Sequence, residues 1–439
     1  MKLPAHVEYC IQTLEEAGFA AYAVGGCVRD FLLGLEPQDF DLCTAATPEK
    51  LQELFSDHSQ VLAGVKHGTV GIVFHQEVVE ITTFRAEGDY SDGRHPDWVA
   101  FVEDITSDLA RRDFTVNAMA WSPSRGLVDP FGGEKDLKDR VLRAVGDPEQ
   151  RFREDALRIL RGARFAARYG LTPEAATLDA MLTLTPLMEE LARERVFSEL
   201  SKLLLHANAQ QLLLFEPIIT QVIPELKPAV GMDQHSVHHA FDLYTHIAHV
   251  VQAVPQELSL RWAALLHDVC KPAVFTLDDQ GHGHFYDHAQ VGGQLTEEIL
   301  RRLKAPTALR EQVTHLVQLH MHRFEPERRT LRRWASRLGF DTLYRLLTLQ
   351  EGDMGSKGKP EDGFYFTQIR ELIRELEQEA ACLTLKDLAI SGTDLLELGF
   401  PAGKELGDCL QQLLELVIAE VLPNDPQALA EEAAKLLPQ

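Results

Sequence analysis

Residues 24–41, VGGCVRDFLLGLEPQDFD, limit what this chain can fold into more than any other stretch. A glycine pair directly after an apolar run makes a tight turn, and VRDFLLG behind it has the pattern of a short helix. Two aspartates then flank one phenylalanine. On a strand, successive side chains point to opposite faces, so Asp39 and Asp41 would share one face while Phe40 turns into the core. That spacing suits a divalent cation, because magnesium takes oxygen ligands and keeps substrate phosphates in its shell. Gly25 and Gly26 would let backbone N–H groups approach a triphosphate where the helix begins. Each half alone is ordinary: a DxD on an exposed strand edge needs no metal.

The mixture of short strand and helix signals continues to about residue 146. HVEYCIQTLEEAG is amphipathic and ends at Gly18, AAYAV and DFDLCTAA read as strands, and TPEKLQELF opens with Thr47 as N-cap and Pro48 at the first helical position. TVGIVFHQEVVEITTF alternates apolar and polar residues about a turn near Gln76, which predicts a hairpin and a mixed or antiparallel sheet. A dinucleotide fold would require GxGxxG in a parallel βαβ unit, and neither is present. After Gly146-Asp147-Pro148 the strand signals fade. The expectation is an α+β chain: a small-sheet head at 1–146, a helical neck at 147–230, a histidine-dense helical region at 231–355, and a helical tail at 356–439.

Length and charge bound the rest. At 439 residues the chain exceeds one ordinary core of roughly 100–200 residues. No run approaches the roughly 20 apolar residues of a membrane helix, and MKLPAHVEYCIQTLEEAG carries acids where a signal peptide is apolar. A cytoplasmic protein without membrane contact is expected. The scattered cysteines form no CxxC pair, as suits reduced packing residues. A formal net charge of −24 argues against indiscriminate nucleic-acid binding. Two arginine-rich stretches, Arg151 to Arg168 and Arg323 to Arg337, are where a polyanion would bind.

Further groups gather around the opening motif. Glu80 on VVEITTF could supply a third carboxylate. In LARRDFTVNAMA, Arg111 and Arg112 can neutralise phosphate oxygens, while Asp113 and Asn117 can bond ribose hydroxyls. In REDALRILRGARFAARYG, helical spacing would put Glu154, Asp155, Arg158 and Arg161 together, with Asp155 and Arg158 on one face. They could form an intrahelical ion pair. Facing a base instead, a donor and an acceptor so placed match the edges of cytosine and adenine and reject guanine and uracil.

In this order, VGGCVRD, DFD, RRDFTVNAMA, DPFGG and EDALRILR resemble the successive motifs of bacterial class II tRNA nucleotidyltransferases, the CCA-adding enzymes of the polymerase-beta superfamily. The resemblance runs from about residue 20 to 200. It implies that Asp39 and Asp41 hold two catalytic magnesium ions, that Gly25, Gly26, Arg29 and Asp30 surround the triphosphate, and that Arg112, Asp113 and Asn117 contact ribose and phosphate. Asp155 and Arg158, with Arg161 beside them, would select CTP and ATP, the partner being tRNA. TTFRAEGDYSDGRHPDWVAFV stands at full length where relatives adding only CC lack part of a loop, which favours complete CCA addition. Relatives adding only A, and bacterial poly(A) polymerases, share the head motifs.

A second constellation follows. LHDVCKP holds adjacent His267 and Asp268, preceded by His246 and followed by His288, His320 and Asp353. Singly, each is equally a satisfied polar contact; as an ordered set they resemble the HD superfamily of metal-dependent phosphohydrolases. The resemblance implies a first metal at His246, His267, Asp268 and Asp353, with His288 and His320 available for a second. Imidazoles with carboxylates accept Ni2+, Mn2+, Fe2+ or Zn2+. Such a site would act on a phosphomonoester or a cyclic phosphodiester. From a different class comes an HD phosphohydrolase whose head only binds regulatory nucleotide. A homodimer is compatible with the sequence.

Overall fold

The computed structural model describes residues 1–439 apart from 76, 89–97, 236–240, 358–362, 380 and 438–439. The chain divides into two compact units, Met1–Pro224 and Glu225–Gln439. The four-part division read from the sequence is finer than this.

The first unit opens with α1 (Ala5–Glu16), whose Val7, Cys10, Ile11 and Leu14 recur at helical spacing and form one buried stripe. Next come β1 (Ala21–Val24), α2 (Gly26–Leu32), β2 (Asp41–Thr44), α3 (Pro48–Leu54), β3 (Ser59–Val61), β4 (Thr69–Phe74) and β5 (Glu77–Thr83). The ribbon β6 (Arg85–Glu87) and β7 (Val99–Phe101) precedes α4 (Ile105–Ala110), β8 (Ala120–Ser122), β9 (Gly126–Val128) and α5 (Gly133–Lys138). One sheet runs β3-β4-β5-β2-β1-β8-β9. Within it β2 and β5 are parallel and the other neighbours antiparallel, so the sheet is mixed, as the pattern predicts. The β4–β5 hairpin closes with Phe74 opposite Glu77; Gln76 lies outside the described residues, as does most of the full-length loop segment between β6 and β7. Thr47 accepts a hydrogen bond from Lys50 N with Pro48 at the first turn of α3, the N-terminus its sequence specifies.

Two local expectations are corrected. The strand bearing the DxD begins at Asp41, leaving Asp39 before it and Phe40 half-buried rather than in the core. The cause is the neighbour: β1 ends at Val24, opposite Asp41, so no ladder on that side holds the earlier residues. The second correction concerns the neck. It holds α6 (Pro148–Glu154), α7 (Leu157–Tyr169), α8 (Ala175–Thr183), α9 (Arg193–His206), α10 (Ala209–Leu214) and α11 (Glu216–Val222). Glu154, Asp155, Arg158 and Arg161 therefore do not share one helix, because Asp155 between α6 and α7 is extended, with φ −147° and ψ 103°. Its carboxylate accepts from Leu157 N at 3.0 Å, and this short-range bond favours a helix start over a continuous helix.

The second unit is helical: α12 (Leu243–Ala253), α13 (Leu258–Leu266), α14 (Lys271–Val274), α15 (His288–Arg302), α16 (Thr307–Leu319), α17 (Arg328–Leu338), α18 (Phe340–Gly355), α19 (Gly363–Gln378), α20 (Gly392–Glu397), α21 (Lys404–Ile418) and α22 (Pro426–Lys435), with a minor ribbon between α14 and α15. Helices α12, α13, α16 and α18 pack on one another around buried Trp262, and α15 lies on α16. The last three helices have their own core of Leu395, Cys409, Leu413 and Leu429. All six cysteines are buried and reduced. No helix among the described residues is long and apolar enough to cross a membrane.

Gly133 exposes how tightly the first unit is packed where α5 meets the segment before β8. A Cβ there would lie 2.2 Å from Thr115 O and 3.0 Å from Met119 Cγ. Gly133→Ala is expected to destabilise the chain by roughly 1–3 kcal/mol, read as a lower urea midpoint; an unchanged midpoint would show that the backbone gives way freely.

Candidate functional site

The sheet builds the first site by register. Val24 pairs with Asp41 across β1 and β2, which sets the Gly25 turn beside that carboxylate. Leu42 pairs with Ile81 across β2 and β5, so Asp41 and Glu80 stand one residue earlier on adjacent parallel strands. Asp39, Asp41, Glu77 and Glu80 line one open pocket of about 770 Å³, together with His6 and Phe40. His6 Nε2 lies 3.2 Å from Glu77. The Asp41 carboxyl is raised above its ordinary value by partial desolvation; Arg112 opposes the rise and Asp39 adds to it. Carboxylates crowded to this degree are those a hard divalent cation relieves, so the residues fit magnesium.

Gly25 has φ 71° and ψ −119°, a conformation open to glycine alone. A Cβ there would also stand 2.7 Å from Arg112 Nη1. Arg112 thus closes on the turn. Its Nη2 lies 3.6 Å from Asp108 Oδ2, while its buried Nε has no hydrogen-bond partner. Turn, guanidinium and carboxylates meet in one place.

Arg29, expected at the triphosphate, instead forms a buried joint. Its guanidinium donates to Asp30 Oδ1 at 2.9 and 2.7 Å, to Asn117 Oδ1, and to Tyr169 Oη at 2.5 Å. It sits 4.2 Å from the Tyr169 ring centre and 5.2 Å from that of Phe165. Asn117 Nδ2 donates to Asp113 Oδ1 at 2.9 Å, and Arg161 Nε donates to Asp113 Oδ2 at 2.8 Å. Asp113 and Asn117, read from the sequence as ribose contacts, are buried and bonded to one another and to arginines. Burial alone would raise the Asp113 carboxyl; Arg161 and Asn117 hold it well below the usual carboxylate range. Tyr169 was missed in the sequence because 140 residues separate it from Arg29.

Asp155 and Arg158 form no intrahelical ion pair. Arg158 donates to Glu154 Oε2 at 2.6 Å and to the carbonyls of Arg151 and Arg111 at 3.0 and 3.1 Å. Asp155 Oδ2 accepts from Arg195 at 3.2 Å. Arg195, on α9, carried no signal in the local spacing.

The second cluster brings together every histidine and aspartate read as a set. Asp268 lies at its centre: Oδ2 is 3.2 Å from His267 Nε2 and 3.7 Å from His246 Nε2, while Oδ1 is 3.6 and 3.7 Å from Nε2 of His288 and His320. Asp353 Oδ1 lies 3.0 Å from His246 Nε2. Two groups that could each hold a metal ion thus share one carboxylate, with the ligand atoms of each within 4.8 Å of one another. The carbonyls of Ala264, Phe285 and Val317 lie 2.7–2.8 Å from Nδ1 of His267, His288 and His320. These contacts assign the proton to Nδ1 and turn each Nε2 lone pair inward. Nε2 of His288 and of His320 and Asp268 Oδ1 find no hydrogen-bond partner although all are buried. A buried, converging, unsatisfied donor set of imidazoles and carboxylates fits a transition metal. Lys271 and Lys357 complete the charge balance, 2.7 Å from Asp268 and 2.8 Å from Asp353.

Residues 21–143 match the poly A polymerase head domain, 170–230 the probable RNA and SrmB-binding site of polymerase A, and 284–433 the tRNA nucleotidyltransferase domain 2. The CCA-adding enzyme of Levilactobacillus brevis is 34% identical over 421 residues, covering 95% of this chain and 94% of its own. That of Streptococcus pneumoniae is 34% identical over 432 residues, or 98% and 97%. The crystal structure of the Bacillus stearothermophilus CCA-adding enzyme in complex with CTP aligns with TM-score 0.70 and 27% identity over 99% of this chain and 98% of that one. The Thermotoga maritima CCA-adding enzyme complexed with tRNA shares the fold, with TM-score 0.59 at 20% identity over 98% and 94%.

The pairing of buried Asp113 with Arg161 gives a pH signature. A carboxyl whose folded value lies below its unfolded value of about 3.9 contributes stability that is present above that pH and lost as pH falls through the folded value. Asp113→Asn is expected to cost roughly 1.5–3 kcal/mol at pH 7, with the gap to wild type closing in urea titrations below about pH 4. A pH-independent gap would mean that Asp113 acts through packing alone.

Proposed function

The chain belongs to the family of CCA-adding enzymes, and from that premise we propose that it adds C, C and A in turn to the 3′ end of tRNA from CTP and ATP, without a nucleic-acid template. The observation that carries this is the convergence of the Gly25 turn, Arg112 and the Asp39–Asp41–Glu80 pocket on the centre of the sheet. The terminal 3′ oxygen attacks the α-phosphorus, the bond to the β-phosphate oxygen breaks, and pyrophosphate leaves. Asp39 and Asp41, with Glu80 beside them, would hold magnesium, which when bound lowers the pKa of the attacking hydroxyl and neutralises the triphosphate. The remaining work is positioning. The Gly25 turn admits the phosphates closely and Arg112 supplies a fixed positive charge. The Arg29–Asn117–Asp113–Arg161 network locks α7 to the head. Asp155 and Arg158 read the base by exchanging their protein partners, Arg195 and Glu154, for its Watson–Crick edge. In this reading residues 1–146 are the catalytic head, 147–230 the base-reading neck, and the second unit carries a metal centre at 231–355 and a tail at 356–439.

The buried dyad of metal positions around Asp268 supports a second activity, a divalent-metal phosphohydrolase of the HD type. The ion would polarise a phosphoryl oxygen and lower the pKa of water. Asp268 is placed to serve both positions, and the carbonyl-anchored histidines hold their Nε2 atoms fixed.

Two variants and one primer-extension assay on tRNA shortened by one, two or three residues separate these activities. Wild type is expected to restore C, C and A with magnesium while refusing GTP and UTP. Asp41→Ala should lose addition by about a thousand-fold or more yet keep phosphatase turnover. His267→Ala should do the reverse. Addition of A alone would place the protein in a divided pathway, and intact addition by Asp41→Ala would overturn the assignment of the head.

A further inference from the structure

Asp108, on α4, is fully buried, and it is the carboxylate against which Arg112 rests. Its two oxygens are used differently. Oδ1 accepts from Arg111 Nε and Nη2 at 3.0 and 2.9 Å, and from Arg85 N, at the start of β6, at 3.4 Å. Oδ2 accepts no hydrogen bond. Its neighbour is Arg112 Nη2 at 3.6 Å, too far for a bond yet near enough for strong Coulomb attraction away from water. On its other side the same guanidinium turns Nη1 to the Gly25 turn, 2.7 Å from where a Cβ would stand. Arg112 is therefore placed between Asp108 and that turn. Its charge also reaches Asp41, whose carboxyl burial raises and Arg112 lowers. Among the described residues, Asp108 is nevertheless the only ion-pair partner of Arg112. Two carboxylates thus compete for one cation, and one of them, Asp41, has to stay open to a metal ion.

Resting on the reading of the head as the nucleotidyl-transfer site, we propose that Asp108 is a positioning residue for that reaction. Its Oδ2 holds the Arg112 guanidinium away from Asp41, which keeps Asp41 open to magnesium and leaves Arg112 Nη1 facing the triphosphate. Without this counter-charge, Arg112 would lie beside the crowded carboxylates of the pocket and pair with Asp41. Magnesium would then have to displace it. The 3.6 Å separation suits the task. A hydrogen-bonded pair would keep the donors of Arg112 engaged, as those of Arg29 are. An unbonded pair fixes the guanidinium and leaves its donors unspent for phosphate oxygens. The bonds to Oδ1, meanwhile, tie the carboxylate itself to the end of α4 and to β6, so Asp108 does not follow Arg112 when a nucleotide arrives.

Because every hydrogen bond to the Asp108 carboxylate goes to Oδ1, Asp108→Asn can keep them through its amide oxygen and remove only the charge that faces Arg112. CTP is titrated into the full-length protein by calorimetry over a series of magnesium concentrations, and CTP addition to shortened tRNA is followed over the same series. Asp108→Asn is expected to need about tenfold more magnesium for half-maximal CTP binding, with kcat at saturating magnesium and CTP within about threefold of wild type. In a double-mutant cycle, Asp108→Asn/Arg112→Gln should need no more magnesium than Arg112→Gln alone, since no cation is left to compete. Should Asp108→Asn not fold, the double variant, which removes the unbalanced cation with its partner, is expected to fold and to match Arg112→Gln. An unchanged magnesium requirement in Asp108→Asn overturns the proposal. So does the same shift with and without Arg112, or a double variant that also fails to fold. Failure of the wild type to bind CTP or extend tRNA would instead overturn the reading of the head on which the proposal rests.

Discussion

The pair of buried Asp113 and half-buried Arg161 is the joint on which the first unit depends. Asp113 belongs to the segment that runs into β8, between β1 and the edge strand β9, and Arg161 to α7, so their bond ties a strand layer to a helix. A second tie from the same network lies eight residues further along α7, where Tyr169 meets Arg29. Two fixed points about 12 Å apart on one helix prevent both its rotation and its sliding. Arg158, one turn before Arg161, inherits that precision. Removing Arg161 would leave the buried Asp113 carboxylate short of its counter-charge, which is why such a pair specifies geometry more than it adds stability.

This joint also explains why an acidic chain holds arginines in runs. The stretch from Arg151 to Arg168 looks in the sequence like a polyanion patch, but Arg158 and Arg164 are buried, and Arg151, Arg158, Arg161 and Arg164 all bond within the unit, to Glu154, Asp113, Glu199 and backbone carbonyls. They are internal fasteners. The second stretch divides. Arg328 pairs with Glu375 and Glu379, and Arg332 with Glu420, whereas Arg329, Arg333 and Arg337 are exposed at spacings of four on one face of α17. Counting cations in a sequence overstates a binding surface because guanidinium groups serve folding as readily as recognition.

What the sequence disclosed and what it hid follow one physical division. Thr47 with Pro48, the β4–β5 hairpin and the Gly25 turn were legible because local chemistry decides them: a cap, an alternation, a backbone conformation only glycine adopts. The Asp268 cluster was legible for another reason, since few roles other than metal binding ask for so many histidines and aspartates. The break at Asp155 was hidden, because a helix and a helix restart differ there by one local bond and by a partner, Arg195, forty residues away. Arg29 was hidden likewise. Its residue type and place suit a phosphate, and only the arrival of Tyr169 and Asn117 shows its donors already engaged.

The two proposed metal sites differ in a way that lets one chain hold both. Asp39, Asp41 and Glu80 are exposed oxygen donors on the rim of an open pocket, too few to fill the shell of a hard cation. Nucleotide phosphates must complete it, so that metal arrives and leaves with substrate. Around Asp268 the donors are buried, mostly imidazole, and converge from α12, α15, α18 and the ends of α13 and α16. There the protein itself would supply most of the shell, and the softer nitrogen ligands suit a transition metal in the proposed reading. Selectivity thus comes from ligand type and from who completes the coordination, and neither site needs to exclude the other's metal by affinity alone.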